Sequence, residues 1–226
     1  RQRETALALL SHVGESSRVA VVRFWERPEL AVPFTREREP VREAFLLPAL
    51  ADRRTAIFDA ALAAARSFQT SKADPAERRI VVLISDGLDT ASTVRAASVV
   101  EEARGGGVSF YVIHLPLYAP RGGRLAPRPV ARGFRELAKQ TGGQFFSVGD
   151  ASASLDPRAP LDLAPVFRAI ADDLSGQYVV GFHAPDADAP DRARPRRVAV
   201  NLNTNNNNTR RLRVRSLRES YQLQRQ

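Results

Sequence analysis

A chain of 226 residues, 43% of them apolar, is long enough for one α/β domain with a buried core plus an appendage, and domain size favours that organisation over two full domains. The absence of cysteine excludes a disulfide framework and a thiolate zinc site, and His12, His114 and His183 are scattered without the spacing of metal ligands. The formal charge of +9 sits at one end: residues 192–226 hold ten arginines and one acid, Glu219, whereas the preceding 191 residues hold 24 basic and 24 acidic side chains. A neutral body with a basic tail is more simply a solvated arginine face than a dedicated polyanion site, which argues against a nucleic-acid partner.

No apolar run approaches the roughly 20 residues that cross a bilayer as a helix, so no transmembrane segment is expected. The chain opens at Arg1 in a charged stretch, with neither Met nor a signal peptide, directly before an amphipathic helix. This predicts that the natural N-terminus, with any targeting segment, lies upstream. Thr5 to Val13 has helical spacing and is followed by Gly14; Arg18 to Trp25 (RVAVVRFW) is a β-branched run suited to a buried strand. Glu29 to Phe34 (ELAVPF) carries Pro33, which cannot donate to a ladder, so it is expected to pair antiparallel at the sheet edge. Helices are predicted over Arg38 to Leu47 and from Thr55 through IFDAALAAARSF, the second with an inward stripe of Ile57, Ala61, Ala64 and Phe68.

Arg79 to Ser85 (RIVVLIS) has five consecutive apolar residues, the pattern of a strand covered on both faces in a parallel sheet. A helix from Ser92 to Arg104, closed by glycines 105 to 107, leads to a strand over Val108 to Leu115 (VSFYVIHL). Residues 116–130, rich in Pro, Gly and Arg, read as an inserted loop; a helix over Arg132 to Gln140 stops at Thr141-Gly142-Gly143; Gln144 to Val148 is a short strand; 149–160 is a loop; and Leu161 to Leu174 is again helical. This alternation predicts a doubly wound, mostly parallel sheet with flanking helices over residues 1–175. Residues 176–226 change to strand upon strand, at Gln177 to His183, Arg197 to Leu202 and Arg211 to Ser216, with the asparagine tract 205–208 as a loop, giving a small C-terminal antiparallel extension.

Ligands of an open parallel sheet bind beyond the carboxyl ends of its strands, which directs attention to SDGLDTAS after the apolar run at 79–85. That LISDG element resembles the third metal loop of von Willebrand factor A-type (VWA) domains. AVPFT at 31–35, RRTAIFDAAL at 53–62, LAKQTGGQFF at 137–146 and QYVVGF at 177–182 fall in the same family's order. The strand-rich ending resembles a bacterial subgroup.

The resemblance implies a Rossmann-like α/β fold and a non-enzymatic, adhesion-type module. Its metal-ion-dependent site is built from three loops and holds Mg²⁺, or Mn²⁺ or Ca²⁺, with one position open for an acidic residue of a protein partner. Thr55 matches the second loop and Asp86 the third. The first, Asp-x-Ser-x-Ser, has no match, since neither Ser16-Ser17 nor Ser152 and Ser154 follows a suitable strand. The first strand is therefore expected to be missing, leaving unpaired backbone rows beside the strands at 18–25 and 79–85, with metal binding by this chain weak or absent. An upstream apolar strand ending in Asp-x-Ser-x-Ser is expected. The subgroup implies an extracytoplasmic location in a bacterium: periplasmic, secreted or membrane-anchored.

Simpler roles stand beside these. Thr55 would serve as a helix N-cap, Asp89 and Ser92 as helix caps, and Asp59 as a partner of Arg53 or of the helix dipole. Asp86 is harder to reduce, because an acid at the end of a buried strand needs compensation. Four other functions can be weighed. A haloacid-dehalogenase-like phosphotransferase would need two acids two residues apart, whereas Asp86 and Asp89 are three apart, and its lysine would have to be Lys72 or Lys139. Glycines 105–107 precede a strand rather than follow one, against dinucleotide binding, and no G-x-S-x-G elbow is present. Polyanion binding through Arg211, Arg213 and Arg215, which alternate onto one side of 210–218, remains open.

Overall fold

The computed structural model describes residues 14, 16–46, 54–70, 77–152, 156, 161–178, 196–201 and 220–221. Two compact units divide the chain, Arg1–Gln177 and Tyr178–Gln226. In the first, strands β1 (Val19–Phe24) and β2 (Pro28–Thr35) form the expected antiparallel hairpin. The pairing shifts between Val21↔Val32 and Val19↔Thr35, so Pro33 falls in the bulge, where no ladder donor is required. Helix α1 (Arg38–Leu46) lays Val41 and Ala44 onto Val21 and Val32.

Helix α2 (Ile57–Ser67) leads to β3 (Arg79–Ser85), α3 (Ala96–Gly106) and β4 (Val108–His114). Helix α4 (Phe134–Gln140), β7 (Phe145–Ser147) and α5 (Ala164–Ser175) complete the main body. The parallel sheet has the order β3-β4-β7, with Ser85 opposite His114 and His114 opposite Ser147. Alternate side chains of β4 serve opposite cores, which is why the strand is apolar almost throughout. Phe110 and Val112 join Leu83 against α2, α3 and α4, while Tyr111 and Ile113 meet Val166, Phe167 and Ile170 of α5. The sheet is thus covered by helices on both faces, as expected. Among the described residues no further strand pairs with β1 or β3, which belong to separate sheets and both pack against α2.

Several boundaries differ from the sequence reading. The stripe of α2 includes Phe58 and Ala65, and Ala64 is only half-buried. Helix α3 begins at Ala96, four residues after Ser92, because Ser92 caps α2 and the Thr93 and Val94 amides donate to Asp59 of that helix. Residues 116–130 are not merely a loop: β5 (Tyr118–Arg121) and β6 (Arg124–Pro127) pair around a tight turn at Gly122-Gly123.

In the second unit β8 (Arg196–Arg197) pairs antiparallel with β9 (Ser220–Tyr221). The expected strand at 197–202 reaches only its first residue, and residues 198–201 are irregular. The expected helix at 5–13, most of the strand at 177–183, the asparagine tract and the strand at 211–216 lie outside the described residues. No described helix is long and apolar enough to cross a membrane.

Candidate functional site

The three parallel strands all end on polar residues, Ser85, His114 and Ser147, in one register row. Asp86 follows β3, half-buried, and its Oδ1 accepts a hydrogen bond from the Leu88 amide at 2.9 Å, closing an Asx turn. Gly87 has φ +80°, and a Cβ there would stand 2.7 Å from Val130 Cγ1 and 3.0 Å from Phe134 Cε1, so the turn requires glycine on two counts. The Ala131 amide donates to the Gly87 carbonyl at 2.8 Å, tying the inserted segment back onto this turn.

Thr55 lies just before α2, half-buried, and faces the same loop. Its amide donates to Thr90 Oγ1 at 2.8 Å, and its carbonyl accepts from the Thr90 and Ala91 amides at 2.8 and 3.1 Å. The structure therefore brings the loop carrying Thr55 against the loop that begins at Asp86. Thr55 does not cap α2: the cap position is Ala56, and no side chain of that segment fills it. The exposed amides are satisfied from across the gap. Asp89 Oδ1 accepts from Ile57 N at 2.8 Å, and Ser92 Oγ accepts from Phe58 N at 2.9 Å. Asp89 and Ser92 are helix caps, but of α2 rather than of the helix that follows them.

Asp59 returns the favour in space: its carboxylate accepts from the Thr93 and Val94 amides, each at 3.0 Å, instead of serving only the dipole of its own helix. Its other expected partner, Arg53, lies outside the described residues. The two loops are thus clamped reciprocally, and Thr55 and Asp86 stand on the clamped segments. Thr141, expected only as a helix stop, is fully buried; its hydroxyl donates to the Leu137 carbonyl at 2.6 Å and accepts from Phe110 N at 2.9 Å, stitching α4 to the start of β4.

Among the described residues no three His, Cys, Asp or Glu side chains gather as a metal-binding group. The donors present are of another kind. The Thr55 hydroxyl and Asp86 Oδ2 make no hydrogen bond among the described residues, so a hydroxyl and a carboxylate oxygen are available. Two hard oxygens fit a cation such as Mg²⁺ that keeps most of its water. They do not by themselves make a closed coordination shell.

Sequence reasoning passed over His114. Its ring is buried at the end of β4, with Nε2 3.1 Å from the Asp86 carbonyl and Nδ1 3.2 Å from Ser147 Oγ. A carbonyl only accepts, so Nε2 carries the proton and the Ser147 hydroxyl donates to Nδ1, the neutral tautomer. Burial lowers the pKa of His114 below its ordinary value of 6.5; the Asp86 carbonyl opposes this, the Arg135 charge adds to it and the Asp86 charge opposes it. Its signal in the sequence was its place at the end of an apolar run, equivalent in register to Ser85.

Beside His114 opens a cleft of about 460 Å³ between the β5–β6 hairpin and α4, bordered by Tyr118, Arg128, Val130, Arg135 and Ser147. The phosphotransferase arrangement is not formed by the residues considered for it. Asp89 is engaged in capping, and Lys139 is on the last turn of α4, whose end is bonded to the start of β4, opposite the edge that bears Asp86. Lys72 and the arginine face 210–218 lie outside the described residues.

Comparison with known proteins agrees with this architecture. The structure is similar to an aerotolerance-related membrane protein from Bacteroides fragilis (20% identity, 78% of this chain and 89% of that chain, TM-score 0.57). It is also similar to BatB from Bacteroides thetaiotaomicron (18% identity, 77% and 85%, TM-score 0.54) and to a von Willebrand factor type A protein from Catenulispora acidiphila (17% identity, 75% and 36%, TM-score 0.56). At these identities the likeness shows the fold. No match was found among curated protein sequences. The model of the von Willebrand factor type A domain matches residues 1–157. The chain belongs to the von Willebrand factor type A domain family.

Proposed function

We propose that this chain is a non-enzymatic protein-interaction module that works at the carboxyl edge of its parallel sheet. The partner presents an acidic residue to a divalent cation, Mg²⁺ or in its place Mn²⁺ or Ca²⁺, to which Thr55 and Asp86 contribute oxygens. The observation that carries this reading is the reciprocal clamp, which holds the two segments bearing an unbonded hydroxyl and an unbonded carboxylate oxygen against each other. The cation would supply a positive charge with an exchangeable water; the protein's part is to hold its ligands still. A location outside the bacterial cytoplasm is supported by the similarity to a protein described as a membrane protein.

The test is a titration of Mn²⁺ followed by the loss of its free-ion electron paramagnetic resonance signal, with Mg²⁺ as competitor. Weak, Mg²⁺-displaceable binding is expected, reduced about tenfold or more in Asp86→Ala and less in Thr55→Ala. Equal binding by Asp86→Ala and the unaltered protein would remove the metal from this account.

A further inference from the structure

The cleft beside His114 differs in chemistry from the oxygen-bearing segments next to it. Its lining contains two arginines, Arg128 and Arg135, and no acidic side chain. Neither arginine has an ion-pair partner among the described residues, whereas Arg18, Arg54 and Arg66 are paired with glutamates. Arg128 is anchored through its backbone and Arg135 through its side chain. The Arg128 amide donates to the Leu117 carbonyl at 2.7 Å at the base of the hairpin, and the Arg135 guanidinium lies over the Phe145 ring at 4.5 Å. The floor is the buried His114 ring with the exposed Ser147 hydroxyl against it, and Tyr118 and Val130 contribute apolar walls.

We infer that this cleft is a second recognition site, in which Arg128 and Arg135 grip carboxylates of an acidic segment of the partner protein while Tyr118 and Val130 take its neighbouring aliphatic groups. Planar guanidinium groups bind carboxylates through paired N–H donors, and an arginine that is not already in an ion pair has none to break when it engages one. A polyanion is a poorer match. The cleft offers two guanidinium groups beside apolar walls, which suits one or two carboxylates flanked by aliphatic groups rather than a repeating phosphate backbone. The inference rests on the protein-interaction reading above, but not on its metal.

The probe is a fluorescein-labelled ten-residue peptide of alternating Glu and Ala, followed by anisotropy in EDTA and again in Mg²⁺. Binding is expected in EDTA, weakened about tenfold or more by Arg128→Gln and further by Arg128→Gln with Arg135→Gln. Arg128 is exposed, so its single substitution keeps the test valid even if removing Arg135 from the Phe145 ring disturbs the fold. Peptide binding that is equal in Arg128→Gln and the unaltered protein would overturn the inference, as would displacement of the peptide by inorganic phosphate or heparin at lower concentration than by free acidic peptide. Because the assay is run in EDTA, loss of the metal reading leaves this result standing, and the reverse also holds.

Discussion

Gly143 lies so close to β4 that a Cβ there would stand 1.9 Å from the Phe110 carbonyl oxygen, a backbone atom that no rotamer change can move aside. Gly143→Ala is therefore expected to cost about 3 kcal/mol or more, read as a fall in the urea midpoint with unchanged slope. An alanine tolerated within about 0.5 kcal/mol would mean that strand and loop do not approach in this way. His114 makes a different kind of contribution, one that depends on pH. Its proton affinity is lower in the fold than in the unfolded chain, so between its folded pKa and 6.5 the unfolded state binds more protons. Stability is then fully present above about pH 6.5 and falls as acid is added. The charged groups that face the ring are Arg135 from α4, which deepens this effect, and Asp86 from the end of β3, which opposes it. Measured in EDTA, so that no cation competes at Asp86, urea stability should decline from pH 7 to pH 5, and His114→Gln should flatten that part of the profile. An identical decline in the variant would place the titrating group elsewhere.

The caps of α2 come from a loop more than thirty residues away, which makes them contributions to tertiary as much as to helical stability. Asp89→Ala is expected to lower stability by about 1 kcal/mol, and Ser92→Ala by a similar amount. Since Asp89 Oδ1 also accepts the Ser92 hydroxyl at 2.5 Å, the two losses should be less than additive in a double-mutant cycle. Strict additivity would show that the pair does not act as a unit. The same geometry explains what could be read in advance. Strands β3 and β4 were legible because burial on both faces leaves an uninterrupted apolar run. The start of α3 was not, because Ser92, which has the chemistry of a local helix start, is spent on another helix. The β5–β6 hairpin was hidden by Pro120, Pro127 and three arginines, which obscure any alternation. Of the candidate site, Thr55 and Asp86 were reached through family resemblance, whereas the contacts of Thr55 with Thr90 and of His114 with the Asp86 carbonyl depend on proximity that no local pattern encodes.

Burial is unevenly divided across the first unit. The parallel sheet lies between two large apolar clusters, and the buried residues of β4 contribute to both. The hairpin β1–β2 and α1 share a much smaller one, made of Val21, Val32, Val41 and Ala44. They are joined to the remainder chiefly through α2, against which Phe24 packs and where the Ala56 amide donates to the Trp25 carbonyl at 2.6 Å. Local opening requires only the loss of the contacts that an element makes with its surroundings, so elements with a small private core open before those that share a large one. Native-state hydrogen exchange should accordingly find the β4 amides the slowest, while those of β1, β2 and α1 exchange at least about tenfold faster, a difference of ~1.4 kcal/mol in opening free energy. Substitutions make the distinction sharper. Val41→Ala, at a fully buried position of the small cluster, should lower the protection of the hairpin and α1 by about 1–2 kcal/mol and leave β4 at its original rate as long as β4 exchanges by sub-global opening. Val99→Ala, equally buried but facing the main core, should lower β4 as well. If both substitutions shifted every amide by the same amount, the unit would unfold as a single cooperative block, and the clamped loops at the carboxyl edge would owe their rigidity to the whole of it rather than to the parallel sheet and the three helices packed on that face.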